Sequence, residues 1–241
     1  FAASPIRFKT SSRLDLIFDV VVSDVVVSGM TSPYETWPGL QSHPLGREAL
    51  KIRQAYSKPC RLSPLIALSD PVRTPDIISW AKALPEHCAL IYRFETFDAQ
   101  LAKTLREITR AKSQQFLIRS ESHSDLSDGH HFKRSADLGR ITKKRSGDPG
   151  ALLTLAAIKE GRYSEPLPAL DGLLVSAIFP SESPSAGTPI GTDALKQRTQ
   201  KWDVPIFALG GVTVQTAPAL LGTNIAGIAA IGALKEDKNG R

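Results

Sequence analysis

From residue 65 onward the apolar positions come in short continuous runs separated by amphipathic stretches, the arrangement expected of strands buried on both faces and alternating with helices. Residues 65–68 (LIAL), 88–93, 115–118 and 129–132 read as the first four strands, and 152–155, 171–179, 204–209 and 225–231 as the last four. Between them, a helix opens near Thr74, Pro75 and Asp76, where Thr or Asp can cap and Pro suits the first turn. A second starts at Asp98 and carries Leu101, Leu105 and Ile108 at three- and four-residue intervals, so one face is apolar. A basic helix ends around residues 147–150, and another spans 193–201 behind a loop rich in Ser and Pro. Eight such units in about 170 residues imply a closed (β/α)8 barrel with short helices, over residues 65–234.

The remainder divides into a leader at 1–29, a linker and N-terminal helix at 30–64, and a tail at 235–241. Within the leader, LDLIFDVVVSDVVV at 14–27 is apolar but broken by Asp15, Asp19 and Asp24, each costly in a bilayer, so it is neither a membrane span nor a secretory signal. We expect these residues to lie upstream of the native start at Met30, with 33–44 an irregular linker and 46–57 a helix. Two cysteines, Cys60 and Cys88, are too few for a disulfide framework and point to the cytoplasm.

With 41% hydrophobic and 22% charged residues, the 241-residue chain can bury a substantial core, which excludes disorder throughout. Its net charge of +6 raises the question of nucleic acid or small anions. The basic residues cluster at 133–134 and 140–145 without interleaved aromatics to stack bases, so a solvated helix face is the plainer reading and nucleic acid is not expected.

Barrel chemistry stands on the loops after the strands, and the most specific feature there is Gly210-Gly211 after strand seven, beside Ile231-Gly232 after strand eight. Two readings stay open: a cup of main-chain amides for a phosphate, or a tight turn. The segments 176–191 (SAIFPSESPSAGTPIG), 205–212 (PIFALGGV) and 227–233 (GIAAIGA), with weaker likeness at 65–71 and 128–132, resemble the thiamine phosphate synthases, in a superfamily that also holds the thiazole tautomerases.

That resemblance implies a transferase that joins a hydroxymethylpyrimidine pyrophosphate to a thiazole phosphate and releases pyrophosphate with Mg2+. It gives the thiazole phosphate to Ser181, Ser183, Gly210, Gly211, Ile231 and Gly232, with serines where the family has threonines and Pro184 where it has a lysine. Arg93 remains from the strand-two cations, and His131 holds the strand-four histidine position; these are the expected catalytic residues. The Mg2+ side departs from the family. Arg119 and Ser120 stand where it has Asn-Asp, Ala136 where it has a second Asp, and Asp137, one residue on, is the expected metal ligand. Arg119, Lys133 and Arg134 offer positive charge there instead. The tautomerase histidine after strand six falls near Ser176 or Ala177, neither of which shuttles protons. A non-catalytic phosphate-binding paralogue, or another barrel enzyme acting on a phosphorylated heterocycle, are the alternatives.

Overall fold

The computed structural model describes residues 32–119, 124–133, 135–156, 167–181 and 187–234. Within them, parallel strands β1 (Leu65–Leu68), β2 (Ala89–Tyr92), β3 (Gln115–Ile118), β4 (Gly129–Phe132), β5 (Leu152–Ala156), β6 (Gly172–Val175), β7 (Ile206–Leu209) and β8 (Gly227–Ala230) pair in sequence order, and β8 closes on β1. The (β/α)8 barrel expected from the alternating pattern is therefore the observed fold.

Side chains of alternate residues point into the barrel. Ile66, Leu68, Ala89, Ile91, Leu117, Leu152, Leu174, Phe207 and Ala229 pack together as its interior. The bulk of Phe207 fits because Gly172 and Gly227 flank it, and a Cβ at Gly227 would lie 2.8 Å from the Phe207 ring. Residues of the other parity, such as Leu65, Leu90, Phe116, Leu153, Leu173 and Ile228, form the outer core.

The helices α3 (Ile77–Ala83), α4 (Ala99–Ala111), α5 (Leu138–Gly147) and α6 (Gly191–Lys201) surround the sheet. Asp76, Asp98 and Asp137 cap the first three of these, each accepting a backbone N–H of the first turn. Strands β2, β6, β7 and β8 are shorter than their apolar runs. After Val175 the chain leaves the ladder: Ile178 donates to the Leu209 carbonyl and Phe179 to that of Gly210, so apolar residues 177–179 fold over the end of β7 instead of extending β6.

The segment at 33–44, expected as an irregular linker, is helical in two pieces, α1 (Pro33–Thr36) and a 3-10 turn at Pro38–Ser42. The capping box of Ser32 and Glu35 starts the first. α2 (Pro44–Gln54) packs against β8, β1 and the 3-10 turn Ala217–Leu220, burying Leu45, Ala49 and Leu50 completely. A 3-10 turn, Gly232–Leu234, follows β8, and the N-terminal helix covers the outer face of β8 and β1. Its buried Arg53 donates to the carbonyls of Ala226 at 2.6 Å and Leu62 at 2.9 Å and stacks over Trp37, which pins it to the barrel. Residues 1–29 and 235–241 lie outside the described residues.

Part of the basic run has a structural use. Arg145 donates to the Ala169, Pro149 and Ala151 carbonyls and to Asp171, so it is a latch and not a solvated charge. No described helix is long and apolar enough to cross a membrane.

Candidate active site

Closing the barrel brings the carboxyl ends of all eight strands to one rim, and the alternation of side chains decides which residues there face inward. Ile91 and Leu117 belong to the interior, so two residues on, Arg93 and Arg119 fall on the same parity. Leu117 pairs with Gly129, and Gly129 with Leu152, which likewise puts His131 and Thr154 on the interior side.

Arg93 is anchored to the end of β1. Its Nε donates to the Ser69 carbonyl at 2.7 Å, its backbone N–H donates to the Ser69 hydroxyl at 2.7 Å, and an Nη atom lies 3.3 Å from Asp70 Oδ2. Burial pulls this guanidinium below its ordinary pKa while Asp70 opposes the shift. Arg119 lies with its guanidinium carbon 5.5 Å from the centre of the Phe94 ring.

His131 is buried, with Nδ1 2.9 Å from the Thr154 hydroxyl. Burial, then the charges of Arg93 and Arg119, push its pKa from 6.5 down to about 3. At neutral pH this imidazole is uncharged and has no excess proton to give. It forms the floor of a cleft of about 340 Å3 whose walls are Arg119, Phe132, Lys133, Asp137 and Arg140.

Across the rim, Gly210 and Gly211 have φ of +90° and +67°, and a Cβ at Gly210 would stand 2.9 Å from Ala177. At Gly211 it would run into the Pro180 carbonyl. Glycine is thus required here by left-handed backbone and by the close approach of the 177–180 loop, the second of the two readings drawn from sequence, and the first is compatible with it. Thr216 donates to the Gly211 carbonyl at 2.8 Å and accepts from the Thr213 N–H at 2.9 Å, fixing the turn. Gly232 is different, since a Cβ there would meet nothing within 4 Å. Ile231 is half-buried and packs on the barrel interior. Ser181 is half-exposed after the 177–180 loop, whereas Ser183 and Arg134 lie outside the described residues.

Ser69, Thr154 and Thr216 are the members of this rim that the sequence reading missed. For Ser69 and Thr154 the signal was a hydroxyl residue directly following or within an apolar run, which by itself does not distinguish a buried clamp from a loop residue; Thr216 carried no such signal.

Mg2+ needs several oxygen ligands in octahedral array. Among the described residues no three of His, Cys, Asp and Glu gather closely enough to hold a metal. Asp137 lines the cleft, but its carboxylate accepts the Gly139 N–H at 2.8 Å as the cap of α5 and shares the walls with three cationic side chains. Asp70 is engaged by Arg93 and Arg73. These residues do not fit Mg2+, and the expected metal role of Asp137 has no supporting ligands in the described structure.

A larger hollow of about 680 Å3 lies at the opposite rim, beside Arg106, Arg110, Gln114 and Asp128. Its Asp128 is already taken by a two-pronged bond from Arg106, 2.6 Å on each oxygen, and by the Phe116 N–H. The amino ends of barrel strands carry stability more than chemistry.

The model of the family described as thiamine monophosphate synthase matches residues 92–234. The chain belongs to that family. Curated relatives include the thiamine-phosphate synthase of Methanobrevibacter smithii, 28% identical over 150 residues, which is 60% of this chain and 71% of the relative. That of Clostridium novyi is 28% identical over 142 residues, 57% of this chain and 70% of the relative. Among solved structures, thiamine phosphate pyrophosphorylase from Pyrococcus furiosus superposes with a TM-score of 0.54 at 21% identity, over 72% of this chain and 88% of that one, a likeness of fold. The family's match begins at β2 and runs through Leu234, so it covers both Arg93 and the glycine turns.

Proposed function

We propose that the chain is a thiamine-phosphate synthase-type transferase, joining a hydroxymethylpyrimidine pyrophosphate to a thiazole phosphate and releasing pyrophosphate. The observation that carries this reading is the placement of Arg93 and Arg119 on one side of a single rim and of the Gly210-Gly211 turn and Gly232 on the other, in a chain of this family. Such an arrangement suits a reaction between two phosphorylated partners, each needing its own anion site.

In this reading, main-chain groups around Gly210, Gly211, Ile231 and Gly232, with Ser181 and Ser183, hold the thiazole phosphate. Arg93, held rigid by Ser69 and Asp70, faces the pyrophosphate. The bond between the pyrimidine methylene carbon and the bridging oxygen breaks, its electron pair leaving with pyrophosphate. The lone pair of the thiazole nitrogen then forms the new C–N bond, giving a thiazolium. No proton moves in either change, so the uncharged state of His131 is no obstacle, and we assign it a wall and hydrogen-bonding role beside the leaving group. The barrel excludes water below the site by its apolar interior, which protects the pyrimidine cation from hydrolysis. We place the enzyme in the cytoplasm, in keeping with Cys60 and Cys88 being unbridged.

The test is direct. Purified protein supplied with both precursors, with Mg2+ and separately with EDTA, should form thiamine phosphate and pyrophosphate in equal amounts. Absence of product under both conditions, with thiazole phosphate still bound, would replace this reading by that of a phosphate-binding paralogue, which the lack of a metal-binding cluster among the described residues favours.

A further inference from the structure

We infer that the cleft between the ends of β3 and β4 binds pyrophosphate without a divalent cation, with Arg119 and Lys133 supplying the neutralising charge. The identity of the anion rests on the function proposed above; the charge argument does not.

The cleft, about 340 Å3, is within the range of small-ligand sites, about 300–1,000 Å3. Among the described lining residues, Arg119 and Lys133 face one carboxylate, that of Asp137, and this carboxylate is turned to the Gly139 N–H of its own helix. These two cations outweigh it. The buried floor adds none, because His131 is neutral. Barrel parity sets Arg93 and Arg119 on the same interior side as His131, from β2 and β3, and their charges add to the lowering of its pKa.

A metal ion entering here meets repulsion from Arg119 and Lys133 and finds, among the described lining residues, one carboxylate, which is already engaged. A pyrophosphate meets the reverse. Its terminal oxygens can accept hydrogen bonds from guanidinium and ammonium groups, which are charged before the ligand arrives and need no hydration shell stripped from a divalent ion. Fixed dipoles and charges of this kind stabilise a departing anion at little reorganisation cost. Arg119 is held over Phe94, which limits the positions its guanidinium samples and favours a single binding geometry.

One further consequence separates this device from a metal-dependent one. Mg2+ in solution lowers the charge of free pyrophosphate by complexing it, so adding Mg2+ should weaken binding to a site built of cations.

The experiment is calorimetric titration of the full chain with inorganic pyrophosphate in EDTA, then in Mg2+, alongside Arg119→Gln and Lys133→Gln. The expected result is binding in EDTA that weakens in Mg2+ and at higher salt, and about a tenfold loss of affinity in each variant, the size of one charge-assisted hydrogen bond. Lys133 is exposed, so its variant tests the idea even if replacing Arg119 harms folding. Binding that appears only with Mg2+, binding in EDTA that is unchanged in both variants, or no binding in either medium would each overturn the inference. Failure of the joining reaction is read separately: binding in EDTA with no product removes the proposed activity and leaves this site standing, whereas Mg2+-dependent binding together with product does the opposite.

Discussion

Ser69 and Arg93 hold one another by three hydrogen bonds across the ends of β1 and β2. The Ser69 hydroxyl accepts the Arg93 N–H at 2.7 Å and donates to the Arg93 carbonyl at 3.1 Å, and the Ser69 carbonyl accepts Nε at 2.7 Å. Ser69 is buried, so replacing it with Ala leaves two main-chain groups of Arg93 without their partner. Ser69→Ala should cost roughly 1–3 kcal/mol in urea unfolding and also loosen pyrophosphate binding, since the guanidinium loses its rigid base. A variant with wild-type stability would show that water replaces the hydroxyl at no cost.

Arg93 itself should separate the two halves of the site. Arg93→Ala should weaken pyrophosphate binding about tenfold or more, as expected for loss of a charged donor, while leaving thiazole phosphate affinity within about twofold. Parallel titrations with the two ligands check this. Equal losses would mean that the Arg93 side and the glycine side do not act as independent anion sites.

At the other end of the barrel the buried carboxylate of Asp171 ties two arginines to the sheet. Asp171 accepts Arg61 Nε at 2.8 Å, Arg145 at 2.6 Å and the Leu153 N–H at 2.8 Å. Asp171→Ala strands a buried donor on β5 and leaves Arg145 without its carboxylate. We expect a loss of about 3–5 kcal/mol, read from the shift of the urea midpoint. Asp171→Asn should lose less, because an amide oxygen still accepts the Leu153 N–H.

This latch also shows where the sequence stops being readable. Most strands were legible because buried positions in a parallel sheet are mainly apolar, as LIAL in β1 and ALIY in β2 are, whereas β4 (GHHF) with its buried histidines gives a weaker pattern. Asp171 pairs with arginines 110 and 26 residues away, and no local pattern encodes partners at such distances. The same holds for α2: a helix is expected at 46–57, but its docking across β8 and β1 joins segments far apart in the chain that no local pattern links. At the rim, Arg93, His131 and Arg119 were placed through the resemblance, and the barrel's parity adds that all three stand on the interior side. Ser69 and Thr216 were missed because a hydroxyl's partner is set by backbone geometry that local composition does not report.

His131 makes stability depend on pH in a definite direction. The unfolded chain binds a proton below about 6.5, whereas the folded chain keeps this imidazole neutral down to about 3. Between those values the unfolded state holds more protons, so stability present above pH 6.5 is lost as pH falls, by up to about 1.4 kcal/mol per unit. His43, also depressed by burial, contributes in the same sense. His131→Asn should keep the His43 part and lose about one proton's worth of slope between pH 6 and pH 4 in urea unfolding series. An unchanged slope would show that the imidazole is protonated in the folded protein, against its burial beside Arg93 and Arg119.

The two glycine positions of the proposed phosphate cup should respond in opposite ways to substitution. Gly211 has left-handed backbone and no room for a Cβ beside the Pro180 carbonyl, so even Gly211→Ala should destabilise the fold, by roughly 1–2 kcal/mol from backbone strain alone and more from the contact. Loss of ligand binding in that variant would therefore say little about the cup. At Gly232 a Cβ enters open space and φ is not left-handed, so an aspartate is accommodated. Gly232→Asp should leave the unfolding midpoint near wild type while its carboxylate repels a bound phosphate, weakening thiazole phosphate at least about tenfold. Lysine at the same position should restore or strengthen binding, because it reverses the sign of the charge without changing the backbone. If aspartate and lysine variants bind thiazole phosphate alike, the phosphate is held elsewhere and the cup at the ends of β7 and β8 is only a turn.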